Sequence, residues 1–176
     1  MGYDALCNSC NSYFGRHYVP EFSRVFNQLN TIVINELKPE YQSLAIQIPS
    51  FRPLAFCKQI ISNFCTINKA GALSDCKDYL LNKEERNFPE RYRLYMAIIG
   101  KDSTATSMGW SLTLGNSGEI RALTYLCMPP ITLTLYDMDR CSAMPVIAGD
   151  MTSISTTAWD EISDVTLTLP VESASK

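Results

Sequence analysis

Tyr92-Arg93-Leu94-Tyr95-Met96-Ala97-Ile98-Ile99 is apolar on both of its alternating faces. Leu94, Met96 and Ile98 point one way, and Tyr95, Ala97 and Ile99 the other. A run of this length and aromatic content reads as a central strand, which Gly100 ends. Downstream, Trp110, Leu112 and Leu114 alternate with polar partners. Gly115-Asn116-Ser117-Gly118 is a strong turn signal, and Ile120 to Cys127 returns as the second strand of a hairpin. Ile131-Thr132-Leu133-Thr134-Leu135-Tyr136 alternates behind Pro129-Pro130, where proline is tolerated at a strand's beginning. Val165, Leu167, Leu169 and Val171 form a last alternating strand. It is expected at a sheet edge, because Pro170 has no N–H to donate.

Upstream the period changes. Phe22, Val25, Phe26, Leu29, Ile32 and Val33 recur at intervals of three and four behind Pro20, which predicts a helix to about Asn30. The β-branched run Thr31-Ile32-Val33-Ile34 predicts a strand reaching Leu37. Leu44, Ile46 and Ile48 predict another, broken at Pro49. Leu54, Cys57, Ile60, Ile61, Phe64 and Cys65 then give an amphipathic helix, and a shorter one is expected after Ser74 as its cap. Residues 1–19 are rich in Asn, Ser, Tyr and Cys and show no period, so they read as a flexible N-terminal arm. The predicted fold is one α+β domain over residues 20–176, a mostly antiparallel sheet packed with two or three helices.

Composition fits an ordinary globular chain: 46% apolar and 19% charged over 176 residues. No run approaches the ~18 uninterrupted apolar residues of a membrane span. Met1 to Leu6 offers neither a cationic region nor an apolar run, so no secretory leader is expected. Gly2 could be acylated, but Leu6 stands where that motif wants Ser or Thr. The seven cysteines are odd in number and mostly embedded in apolar patterns, which suits small core residues in a reducing compartment. No Asn-x-Ser/Thr sequon occurs, in keeping with that compartment. Arg52 to Lys101 holds nine basic residues against five acidic, while Ala122 to Lys176 holds two against seven. A basic middle and an acidic end can meet an anionic partner on one surface and further copies of the chain on another, or merely solvate the fold.

Catalytic parts are scarce. The one histidine, His17, lies in the expected arm, a poor place to hold a base for catalysis. Cys7-Asn8-Ser9-Cys10 is half of a zinc site, and no second pair completes it. A thioredoxin-type use would need a strand before the pair and a helix after it, and the pattern predicts neither. Neither GxGxxG nor GxxxxGK[ST] occurs. Asp137 and Asp139 follow a strand end and read as a solvated turn rather than a cation site. The sequence thus predicts a protein that is not an enzyme, with no metal, cofactor or small-molecule substrate.

What remains is adhesive surface. Lys83, Arg86, Arg91, Arg93 and Lys101 fall close together with Tyr92 and Tyr95 interleaved, a cluster able to contact phosphates of nucleic acid or anionic lipid heads. Glu84, Glu85 and Glu90 dilute it, which argues against strong binding of free RNA. Tyr13, Phe14, Tyr18 and Val19 in the arm, and Met108 and Trp110 beyond it, are candidates for self-association. The arm can instead bury its side chains on its own domain, and Trp110 can belong to the core.

Three segments resemble the matrix proteins of rhabdoviruses. Ser43 to Pro53 is similar to a strand leading through an Arg-Pro turn into an apolar helix. Tyr92 to Gly100 is similar to the family's apolar strand ending in Gly. Ile131 to Asp139, followed by Ala143-Met144-Pro145-Val146-Ile147, looks like the alternating strand ending in Tyr-Asp and a short Pro-containing apolar segment. The ordered set spans roughly Ser43 to Ile147, and the short, weakly charged chain is most like the plant cytorhabdovirus branch. The resemblance implies a virion structural protein, peripheral to membranes in the host cytoplasm. Such a protein self-associates, condenses the helical nucleocapsid and links it to the anionic inner leaflet, with the viral glycoprotein tail a further candidate partner. Two features depart from the family's animal-virus members. The expected arm holds only Arg16 where theirs is Lys-rich, and Pro129-Pro130-Ile131-Thr132 lacks the Tyr of their PPxY motif. Two other readings compete: a capsid or coat protein of another plant virus that binds RNA directly, and a small viral host-interaction protein.

Overall fold

A computed structural model describes residues 6–38, 40–100, 102–115, 117–143 and 149–172. It contains helices α1 (Asn8–His17), α2 (Val19–Glu36), α3 (Pro53–Ile67) and α4 (Lys77–Leu81). Its strands are β1 (Ser43–Phe51), β2 (Tyr92–Ile99), β3 (Thr106–Leu114), β4 (Ile120–Met128), β5 (Ile131–Asp137) and β6 (Ser163–Glu172). The strands form one sheet in the order β1-β6-β2-β5-β4-β3. Every neighbouring pair is antiparallel except β2 and β6. The fold is the expected α+β class.

The two-sided apolar run of β2 lies inside the sheet, between β5 and β6. One of its faces, with Leu94, Met96 and Ile98, joins Leu133 and Leu135 of β5 in the main core, which the helices cover. On the other face a smaller cluster forms around Tyr95, Leu123 and Tyr136, with the Tyr95 and Tyr136 rings edge-on at 5.4 Å.

The structure corrects several expectations. The first concerns α2, which stays helical through Thr31-Ile32-Val33-Ile34 instead of passing into a strand. Val25, Leu29 and Val33 form one i, i+4 stripe against the core, and burial of that stripe outweighs the weak strand preference of β-branched residues. The second concerns β1, which continues past Pro49 to Phe51 through a bulge after Ile48. Ser50 adopts φ 49° there, and its N–H donates to Asp164 Oδ1 at 2.9 Å. Arg24 donates to the carbonyls of Pro49 and Ser50, so the irregular backbone is satisfied from both sides. Similarly small is the misreading of Ser74, which opens a 3-10 turn after Leu73 and makes no side-chain cap.

The third correction is that β6 is an interior strand. Pro170 lies opposite Ser43 of β1, while the next residue, Val171, donates to the Gln42 carbonyl and pairs with Ile98 of β2. Contact with β2 begins only after the proline, so no ladder bond is lost to it. Residues 149–151 occupy the stretch before that point, bonding to the main chain of Leu94 and Met96. Gly149 is required there. A Cβ on it would lie 2.1 Å from the Met96 carbonyl oxygen and 2.9 Å from Pro170 Cδ, at φ +87°.

The fourth is the arm. Residues 8–17 are helix α1, with Cys7 as its N-cap. Phe14 and Tyr18 are buried, at 3% and 0% exposure, and Tyr18 Oη donates to the Leu80 carbonyl at 2.7 Å. Tyr13 Oη accepts from the Lys83 N–H at 2.9 Å. The segment is helical because its neighbours bury one side of it, a tertiary cause that leaves little period in its polar sequence.

Candidate functional site

Trp159 sits half-buried in the loop between the 3-10 turn Ser153–Thr156 and β6. Its ring packs edge-on against Tyr18 at 6.0 Å and His17 at 6.3 Å, and the Lys83 ammonium lies 5.7 Å from its centroid. Two open grooves flank it. One, of about 300 Å³, is lined by Arg16, His17, Glu21, Arg24, Arg52 and Trp159 among others. The other, of about 400 Å³, is lined by Glu84, Arg86, Ala158, Trp159 and Asp160.

The helices place these cations. Arg16 and His17 occupy the last turn of α1, where the helix dipole favours positive charge. Arg52 is the N-cap residue of α3, and its N–H donates to Glu21 Oε1 at 2.9 Å. Glu21 also holds Arg24 in a two-pronged ion pair, which neutralises both. Its hydrogen bonds raise Arg24 further above its already high range. The groove's free charge therefore resides on Arg16 and Arg52, both exposed and without an ion pair among the described residues. On the other side of Trp159, Arg86 lines the second groove beside Glu84 and Asp160, and Lys83 lies over the ring. An aromatic ring ringed by unpaired cations can hold a phosphate-bearing group against an apolar anchor.

The expected basic cluster is thus divided. Arg86 lines the second groove, and Lys83 lies over the Trp159 ring. Arg91 does neither: it pairs with Asp75 at 2.9 Å and bonds the Tyr92 hydroxyl, leaving it internally committed. Arg93 donates to the carbonyls of Glu90 and Tyr92. Lys101 lies outside the described residues, as do Met144 to Ile147 of the Pro-containing segment.

The self-association candidates are also divided. Phe14 and Tyr18 are excluded, since their own domain buries them. Tyr13 is half-buried, and Val19 is exposed at 38%. Met108 packs against the small second cluster. Trp110 is half-buried, stacks on Tyr92 at 5.9 Å, and its N–H donates to Asn68 Oδ1 at 2.7 Å, so it serves the core. A different apolar surface emerges at the sheet's end. Edge strand β3 exposes Leu112 at 70% and Leu114 at 76%, and Leu114 pairs with Ile120, exposed at 45%.

The remaining titratable groups have local roles. Asp137 is buried, accepts from the Asp139 N–H and pairs with Arg140, so it caps a 3-10 turn. His17 stands seven residues beyond Cys10 on α1, roughly 10 Å away at the helical rise, which separates it from the cysteine pair. Among the described residues no group of three or more His, Cys, Asp and Glu could hold a metal ion, and no helix is long and apolar enough to cross a membrane. No protein-family model, curated protein or solved structure matches the chain.

Proposed function

We propose that the chain is a non-enzymatic structural protein of the viral matrix type, which binds an anionic assembly and associates with its own copies. The observation that supports this reading best is the convergence of Arg16, Arg52, Lys83 and Arg86 on Trp159 from three separate parts of the chain. Such a surface suits the phosphates of a nucleocapsid or of an anionic inner leaflet. Edge strand β3, with Leu112 and Leu114 open to solvent, is the surface this reading assigns to self-association. The glycoprotein tail remains a further partner, and residence in the virion and at membranes from the cytoplasmic side follows from the same reading.

The competing coat-protein reading demands direct RNA binding. Co-sedimentation of purified protein with naked RNA and with assembled nucleocapsid separates the two. The matrix reading expects stronger binding to the nucleocapsid. Tight, salt-dependent binding to naked RNA would favour the coat protein instead.

A further inference from the structure

Cys7 and Cys10 stand at the N-terminus of α1 with their Sγ atoms 3.0 Å apart. A disulfide needs about 2.05 Å, so a small side-chain rotation closes the gap. The two sulfurs differ in exposure. Cys7 is open to solvent, whereas Cys10 is half-buried and forms part of the wall of an apolar cavity of about 290 Å³ with Leu6, Phe14 and Leu80. The Cys10 N–H points at Cys7 Sγ from 3.3 Å, and Ser9 Oγ lies 3.0 Å from the same sulfur. Those contacts, the Cys10 thiol first among them, bring Cys7 down to about 7. The same hydrogen bond from the opposite side, together with burial, raises Cys10. An exposed, acidic thiol backed by a shielded, weakly acidic one is the asymmetry of a dithiol that attacks with one sulfur and resolves with the other.

Three of the other cysteines are shielded from this chemistry, while Cys65 and Cys141 are half-buried. Cys57, Cys76 and Cys127 are buried at 0%, 0% and 2% exposure. Burial pushes Cys57 and Cys76 far up, and Cys65 to about 11.

We propose that Cys7 and Cys10 are a redox-active pair, closed to a disulfide by a low-molecular-weight disulfide such as oxidised glutathione and reopened by the matching thiol. The Cys7 thiolate attacks one sulfur of the small disulfide, whose S–S bond breaks and releases one thiolate. Cys10 then gives its proton to that thiolate and attacks Cys7 Sγ, expelling the second small thiolate. One S–S bond has formed in the protein and one has broken in the oxidant. Two electrons have passed to the two released thiols, the second of which takes up the proton Cys7 first gave to solvent. This inference is independent of the matrix reading.

The full chain, equilibrated in mixtures of reduced and oxidised glutathione and then trapped by alkylation, provides the test. Cleavage after Arg16 leaves Cys7 and Cys10 as the only cysteines of one peptide. That peptide should carry an internal disulfide that disappears as reduced glutathione rises. Cys10→Ser should instead retain glutathione on Cys7, and Cys7→Ser should form neither product. In the reduced wild type, Cys7 should alkylate faster at neutral pH than Cys65 or Cys141. The proposal fails if the wild type accumulates the glutathione adduct as Cys10→Ser does, or if Cys7 alkylates no faster than Cys65 and Cys141. Those two readings use the wild-type fold and hold even if a serine variant folds poorly.

Discussion

Lys58 places its ammonium 4.4 Å from the centroid of the Tyr79 ring while donating to the Tyr79 main-chain oxygen. A second donation, of 2.7 Å, reaches the Asn82 carbonyl. These carbonyls close α4, so a wholly buried cation from α3 satisfies the end of a neighbouring helix. Burial draws Lys58 down to about 7, with Glu85 pulling weakly the other way. In the unfolded chain a lysine titrates near 10.4, roughly its free value. Between those values the unfolded chain binds a proton that the folded chain does not, so stability rises with pH. The destabilisation is complete below pH 7 and fades towards 10.4. Urea titrations of wild type and Lys58→Met should diverge across that window, with wild type gaining up to about 1.4 kcal/mol per pH unit. Parallel profiles would show that Lys58 keeps its proton throughout.

Helix α1 belongs to the core, so its aromatic residues should behave as core residues. Phe14→Ala should cost about 3–5 kcal/mol in chemical denaturation. Tyr18→Phe removes the donor to the Leu80 carbonyl and should cost about 1–3 kcal/mol. Deleting residues 1–18 should unfold the domain, and circular dichroism of the truncated chain would reveal a surviving fold if α1 were dispensable.

Ser50 holds a left-handed backbone, which costs a residue with a Cβ roughly 1–2 kcal/mol. Glycine escapes that cost but loses more freedom on folding. Ser50→Gly should therefore stabilise by up to about 1 kcal/mol, whereas Asp164→Ala should destabilise by stripping the acceptor from the Ser50 N–H. A lowered thermal midpoint for Ser50→Gly would mean that its hydroxyl matters more than its φ.

Edge strand β3 supplies the self-association test. Leu112→Lys with Leu114→Lys changes two side chains that are mostly in water, so stability should move by less than about 0.5 kcal/mol per site. Sedimentation velocity should then show the loss of higher species. Unchanged assembly would move the interface elsewhere on the surface.

The strands were legible because each carries its own signature: the two-sided run of β2, the alternation of β5, the Gly-rich turn between β3 and β4. What escaped the sequence was settled by tertiary contact. Nothing in Asn8 to His17 announces a helix, because only Phe14 of that span is buried. The Asp75 that absorbs Arg91 lies sixteen residues before it, with no local pattern linking them. The groove was half legible. Lys83 and Arg86 stood out as a cluster, whereas Arg16, Arg52 and Trp159 are isolated residues that only the packing of α1, α3 and a late loop brings together. No period or motif could have found them.

Flotation with anionic vesicles across a salt series tests the central claim most directly, provided the charge change is placed in two different locations. Arg16→Glu with Arg52→Glu reverses the groove. Lys69→Glu with Lys77→Glu makes the same change in net charge at exposed positions outside it. A basic residue near such a surface contributes about 1 kcal/mol. Reversal of the groove should therefore weaken binding by at least about 2 kcal/mol and flatten its salt dependence, while the outside pair retains most of the wild-type affinity. Equal loss in both variants would contradict a defined site around Trp159, leaving only diffuse attraction by net charge.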